Sequence, residues 1–170
     1  MEKALAVANE IILLAKAAGN PPTQMKLQKL MFFAHGWHLA LADTPLIDKQ
    51  FQAWKYGPVI PSVYHEFKKF GVLGITSLGL EEQPLGAGRF QLVPPELIDV
   101  EGFAAALLRK IWEVFGSYSG NQLSSMTHAP DTPWTKAREK YGDKAGEMSN
   151  IPIYDDDIKA YFKSIMSEND

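Results

Sequence analysis

Residues 23–43, TQMKLQKLMFFAHGWHLALAD, constrain the fold more than any other stretch. Leu27, Leu30, Met31, Ala34, Trp37 and Leu41 recur at the three- and four-residue spacing of an α-helix. Phe32, Phe33 and Leu39 fill the gaps between them, so nearly the whole circumference is apolar. A helix with one apolar stripe lies on a surface, whereas one that is apolar all round needs neighbours on most sides. Thr23 supplies an N-cap hydroxyl. The stretch predicts a central helix around which the rest of the chain is laid.

The flanking segments read as elements that wrap it. A first helix is expected over residues 2–18, with Leu5, Ala8, Ile12 and Ala15 on one stripe and Gly19-Asn20 as the stop before Pro21-Pro22. FQAW at 51–54 is the best strand candidate. Pro61 then sits in the first turn of a third helix, with Val63, Phe67 and Phe70 inward. Residues 71–102 hold six of the thirteen glycines and three prolines, a loop-rich connection with a small hairpin through GRFQLV. From about 96 to 115 the pattern is helical again, with Val100, Phe103, Ala104, Leu107, Ile111 and Phe115 inward and Gly116 past the end. A short helix at 123–126 follows, then one capped by Thr132-Pro133 that reaches 141, then a last one capped by Asp155 with Ile158, Phe162 and Ile165 inward. There is no internal repeat and no low-complexity segment. With 170 residues and 46% hydrophobic content, the expectation is one domain spanning residues 1–170. Its class is mainly α: a single compact helical domain with a small β element.

Composition narrows the function classes. The chain has no cysteine, which removes disulfides, thiol nucleophiles and thiolate metal sites. Residues 1–75 carry eight lysines against five acids, while residues 76–170 carry nine basic residues against fifteen acids, for a net charge of −3. The basic residues are scattered and too few for phosphate-backbone binding, so no nucleic-acid partner is expected. The N-terminal apolar run at 11–15 is preceded by Glu2 and Glu10 and followed by AAGNPPT, a helix stop and not a signal peptide. No apolar run approaches the roughly 20 residues of a membrane span. A soluble, cytoplasmic protein without a membrane partner is expected.

Few residues suggest catalysis. His35 and His38 are three apart, but the zinc helix motif needs histidines four apart with a glutamate beside the first, so no metal is expected. His65-Glu66 and His128 have the chemistry of a general acid or base, and Ser62, Ser119, Ser124 and Ser125 that of a nucleophile. No nucleophile elbow or phosphate-cradling glycine loop ties them together, and no cofactor motif is present. Asp155-Asp156-Asp157 opens a helix, where acids complement the macrodipole, and it lacks the alternating ligands and glycine of a calcium loop. No catalytic residue is assigned. A small hydrolase using His35, His65 or His128 is the runner-up reading.

The stretch WKYGPVIP at 54–61 is different in kind. Two prolines, a glycine, two aromatics and a lysine within eight residues are too rigid for a linker and too broken for a helix or a long strand. SSMTHAPDTPW at 124–134 has the same character, and its Trp134 suits a helix connection pinned into the core. Lys55 and Tyr56 would stand at the tip of the first stretch, held with little entropy left to lose on binding. Scaffold and partner surface both remain open for it.

KLQKLMFFAHGWHLA at 26–40, PLIDKQFQAWKYGPVIPSVYHEFKKFG at 45–71 and LSSMTHAPDTPW at 123–134 together closely resemble the Panacea domain, whose members include SocA-like antitoxins and GepA-type phage-associated proteins. The ordered motifs span most of the chain, and residues 72–100 carry no part of them. The resemblance implies a non-catalytic antitoxin that neutralises the toxin encoded beside it by direct binding. In one branch of the family the antitoxin instead acts as an adaptor that delivers the toxin to a protease. Some relatives add a DNA-binding helix-turn-helix, for which these residues leave no room. On this reading the partner-binding residues are expected to be Lys55, Tyr56, Gly57, Pro58, Tyr64, His65, Lys68 and Lys69.

Overall fold

The computed structural model describes residues 1–142 and 150–167. Its elements run α1 (Ala4–Ala17), α2 (Gln24–Ala42), β1 (Phe51–Trp54), β2 (Gly57–Val59), α3 (Pro61–Phe67) with a 3-10 turn at Lys68–Phe70, and β3 (Glu81–Gly86). They continue with β4 (Arg89–Val93), α4 (Phe103–Phe115), α5 (Gly120–Thr127), α6 (Pro133–Glu139), β5 (Pro152–Ile153) and α7 (Asp155–Ser167). The class is mainly α with a small β element, as the periodicity predicts.

Helix α2 is the axis of the packing. Thr23 caps it through the Lys26 amide, and it touches α1, α3, α4, α5, α7 and β2. Fourteen of its nineteen residues are buried, too many for one contact face. Aromatic rings fix its neighbours: Phe32 meets Phe51 edge-on at 5.2 Å, Phe33 stacks on Phe115 at 4.9 Å, and Trp37 meets Phe162 edge-on at 5.4 Å. The Phe162 ring of α7 lies directly on the Gly36 backbone, where a Cβ would overlap it, so the glycine is what lets α7 approach. Burying a side chain such as Phe32 or Leu30 stabilises the fold by about 1.5–3 kcal/mol each.

The β elements are antiparallel. One sheet has the order β2-β1-β5, with Trp54 opposite Gly57 and Phe51 opposite Ile153. Pro58 is tolerated because β2 is an edge strand. The second sheet is the hairpin β3–β4, which contains the expected GRFQLV segment and stands almost wholly exposed.

Some expectations shift. Helix α4 begins at Phe103, not near 96, and Val100 and Phe103 are exposed. The cause is Asp99, whose carboxylate accepts from the Glu101 amide at 3.1 Å while its carbonyl accepts from Gly102 at 3.0 Å. Such a local turn competes with helix. Leu41, expected inward, is exposed in the last turn of α2. Helix α6 ends at Glu139, short of 141. Asp155 does not cap α7 but is its first residue, with Tyr154 accepting the first helical bond from Ile158. The strands β2 and β5 were not expected; at three and two residues they are too short to show a period-two pattern.

Candidate functional site

The stretch WKYGPVIP folds as a β-hairpin whose backbone is gripped by side chains from three helices. Lys55 and Tyr56 form its two-residue turn, and neither has a positive φ; the reversal falls on Gly57, at φ 106°. From α6, Arg138 donates to the Ala53 carbonyl at 2.8 Å and the Trp134 indole N–H to the Trp54 carbonyl at 2.8 Å. From α5, the Ser124 hydroxyl donates to the Tyr56 carbonyl at 3.0 Å. From α2, Lys29 Nζ donates to the Pro58 carbonyl at 3.1 Å, and Gln28 accepts from the Ile60 amide at 2.8 Å. His128 follows α5: its Nδ1–H donates to the Ser124 carbonyl at 2.6 Å, and its Nε2 lies 3.3 Å from the Lys55 carbonyl. The protonated nitrogen is assigned from the shorter contact, since a carbonyl only accepts.

The α5–α6 turn is braced in its own right. Thr127 Oγ1 donates to the Ser124 carbonyl and Thr132 Oγ1 to the Thr127 carbonyl, both at 2.7 Å. Thr132 caps α6, whose first residue is Pro133, and the His128 and Trp134 rings lie 3.8 Å apart. The sequence THAPDTPW thus builds the clamp on the hairpin. Gly57 completes it: a Cβ there would lie 2.5 Å from Lys29 Cε and 2.8 Å from Thr127 Oγ1. Only a glycine lets α2 and α5 close on the strand.

Two lysines of KLQKL are buried. Lys26 reaches the Gly116 carbonyl at the end of α4 at 2.6 Å and lies over the Trp112 ring, where a cation complements the helix C-terminus. Its burial lowers the amine below its usual pKa. Lys29 is 1% exposed and its only polar partner among the described residues is the Pro58 carbonyl. Burial without a counter-charge pushes its amine down to about 7.

Beside the hairpin lies a cleft of about 940 Å³. Its walls come from the start of α2, the hairpin, α3 and the chain just after it, the start of α5 and Arg138 of α6. Lys55 and Tyr56 stand exposed at its rim, and Tyr64 and Lys68 line the α3 side, with Tyr64 edge-on to Trp54 at 5.0 Å. These are four of the eight residues expected at a partner surface. Gly57 and Pro58 are buried under the tip and belong to the clamp. His65 and Lys69 are exposed on α3 and its 3-10 extension but do not line the cleft.

The histidines are held apart. His35 is fully buried, its Nδ1 accepting from the Ile47 amide at 3.3 Å, so its Nε2 carries the proton toward Asp155 at 3.1 Å. That bond is what occupies Asp155 instead of capping. His38 faces the Thr44 carbonyl at 2.7 Å, so the two imidazoles serve different partners. None of His35, His65 and His128 lines the cleft. Of the serines, Ser119 forms a capping box with Gln122, Ser124 holds the hairpin, Ser125 donates to the Asn121 carbonyl and Ser62 is exposed. No serine hydroxyl is bonded to an imidazole among the described residues. Likewise, among the described residues no three His, Cys, Asp or Glu are grouped to hold a metal ion and no helix is long and apolar enough to cross a membrane.

Lys29 and Gln28 escaped the sequence reading of the site. The available signal was polarity on a helix that had no polar face: Lys26, Gln28 and Lys29 must find partners if the circumference is packed.

Comparison with known proteins agrees with the ordered motifs. Residues 27–135 match the family described as "Antitoxin SocA-like, Panacea domain". Antitoxin SocA of Caulobacter vibrioides (strain NA1000 / CB15N) is 34% identical over 161 residues, covering 94% of this chain and 82% of the relative. No solved structure matches.

Proposed function

Because this chain belongs to the family of SocA-like antitoxins with a Panacea domain, we propose that it neutralises one toxin protein by binding it directly, through the hairpin tip and the neighbouring face of α3. The observation that carries this reading is the clamp. Five side chains from three helices grip the backbone of residues 53–60, yet Lys55 and Tyr56 at the hairpin tip are exposed. A tip fixed from behind loses little entropy on binding, and tyrosine is enriched at interface centres. Tyr64, His65, Lys68 and Lys69 continue the surface along α3, and Gly57 and Pro58 support it from beneath.

Co-expression with the toxin encoded beside it is the test. Growth should recover when this chain is induced, and a pull-down should retain one small protein in stoichiometric amount. No rescue against any adjacent gene product would overturn the reading.

A further inference from the structure

The cleft beside the hairpin carries charge of one sign. Lys29, Lys55, Lys68 and Arg138 line it, and among the described residues no aspartate or glutamate does. Lys29, Lys55 and Lys68 make no ion pair among the described residues, whereas lysines elsewhere do when an acid is in reach: Lys3 with Glu81 at 2.8 Å, and Lys159 and Lys163 with Asp43, each at 2.7 Å. Lys29 is the telling member, because an ammonium buried to 1% exposure ordinarily has a counter-charge, and here it has one carbonyl. The space between the cations is walled by Trp54, Tyr56, Tyr64, Val59 and Met25. An occupant must therefore be anionic and apolar at once. A nucleic-acid backbone fits poorly: it calls for a basic track across a surface, while these cations converge on one concavity of a chain with net charge −3.

We propose that the cleft seats an acidic segment of the toxin, in which carboxylates lie between Lys55 and Lys68, above the buried Lys29, and the alternate apolar side chains rest on Trp54 and Tyr64. This names the partner's chemistry and rests on the antitoxin reading. Charge complementarity gives the segment its specificity, and the aromatic wall gives it contact area.

The test uses the full chain and a short fluorescein-labelled peptide of alternating glutamate and leucine, read by fluorescence anisotropy. The acidic peptide should bind, and its glutamine counterpart should bind at least about tenfold more weakly. Lys55→Glu combined with Lys68→Glu should weaken binding of the acidic peptide by about tenfold or more without changing the melting temperature, since both positions are exposed. Lys29→Met should weaken it too while remaining folded. Equal binding of the glutamine peptide, or undiminished binding to the charge-reversed variant, would overturn the proposal. So would displacement of the peptide by a single-stranded RNA that binds more tightly. The rescue assay separates this proposal from the one it rests on. A charge-reversed chain that loses the peptide yet still neutralises the toxin removes the cleft and leaves the antitoxin reading standing. A wild-type chain that binds the acidic peptide but rescues no growth supports the cleft's chemistry and overturns the antitoxin role.

Discussion

At Lys29 an amine is buried to 1% exposure with one carbonyl as its polar partner among the described residues. Its amine is lowered from 10.5 to about 7 by burial, and that shift has a signed consequence for stability. Above 10.5 the amine is neutral in folded and unfolded chains alike, so it imposes no penalty. Between about 7 and 10.5 the unfolded chain binds a proton that the folded chain does not, so stability rises with pH across this window. Below about 7 both states are charged, and the penalty is full and constant. Lys29→Met should therefore raise the melting temperature at pH 7, by a stabilisation on the order of a few kcal/mol less the lost bond to Pro58. The gap to the parent should narrow as pH rises toward 10. Melting curves across that range check it, and a variant that melts below the parent at pH 7 would mean that the Pro58 bond outweighs the burial of charge.

Among the elements, those with long periodicity were legible and those made by distant partners were not. Helices α1, α2 and α7 follow their apolar spacing, and Thr23 and Thr132 cap where their residue type says they should. By contrast, β2 is a strand because Ser124, Trp134 and Lys29 hold the hairpin, and no property of residues 57–59 alone announces those partners. Helix α4 starts later than its apolar spacing predicts for a local reason, the turn around Asp99. The hairpin supplies its own prediction. Gly57→Val puts a β-branched residue at φ 106° and drives its Cβ into Lys29 and Thr127. It should cost about 2 kcal/mol or more of stability and abolish neutralisation together with it, as thermal melts and co-expression would read. A fully stable Gly57→Val chain would mean that the clamp on the hairpin is loose.

Over the whole molecule, the three motifs that carry the family resemblance meet at one place. KLQKL supplies Lys29 and Gln28, WKYGPVIP supplies the backbone they hold, and THAPDTPW supplies Trp134 on the other side. Of the residues that line the cleft, residue types single out Lys55, Tyr56, Tyr64 and Lys68, because polar and aromatic side chains beside a rigid proline- and glycine-bearing loop are visible in a sequence. They missed Lys29, since burial is set by packing among segments some 30 and 100 residues away along the chain. The same convergence says what a partner can reach: the conformation of the tip is fixed by the interior, and its side chains are free of it. Lys55→Glu combined with Tyr56→Ala separates these two roles most directly, read as toxin neutralisation alongside the melting temperature. The double variant should stay within about 0.5 kcal/mol of the parent's stability and no longer neutralise. A chain that is equally stable and fully neutralising would contradict it, because WKYGPVIP would then be scaffold alone.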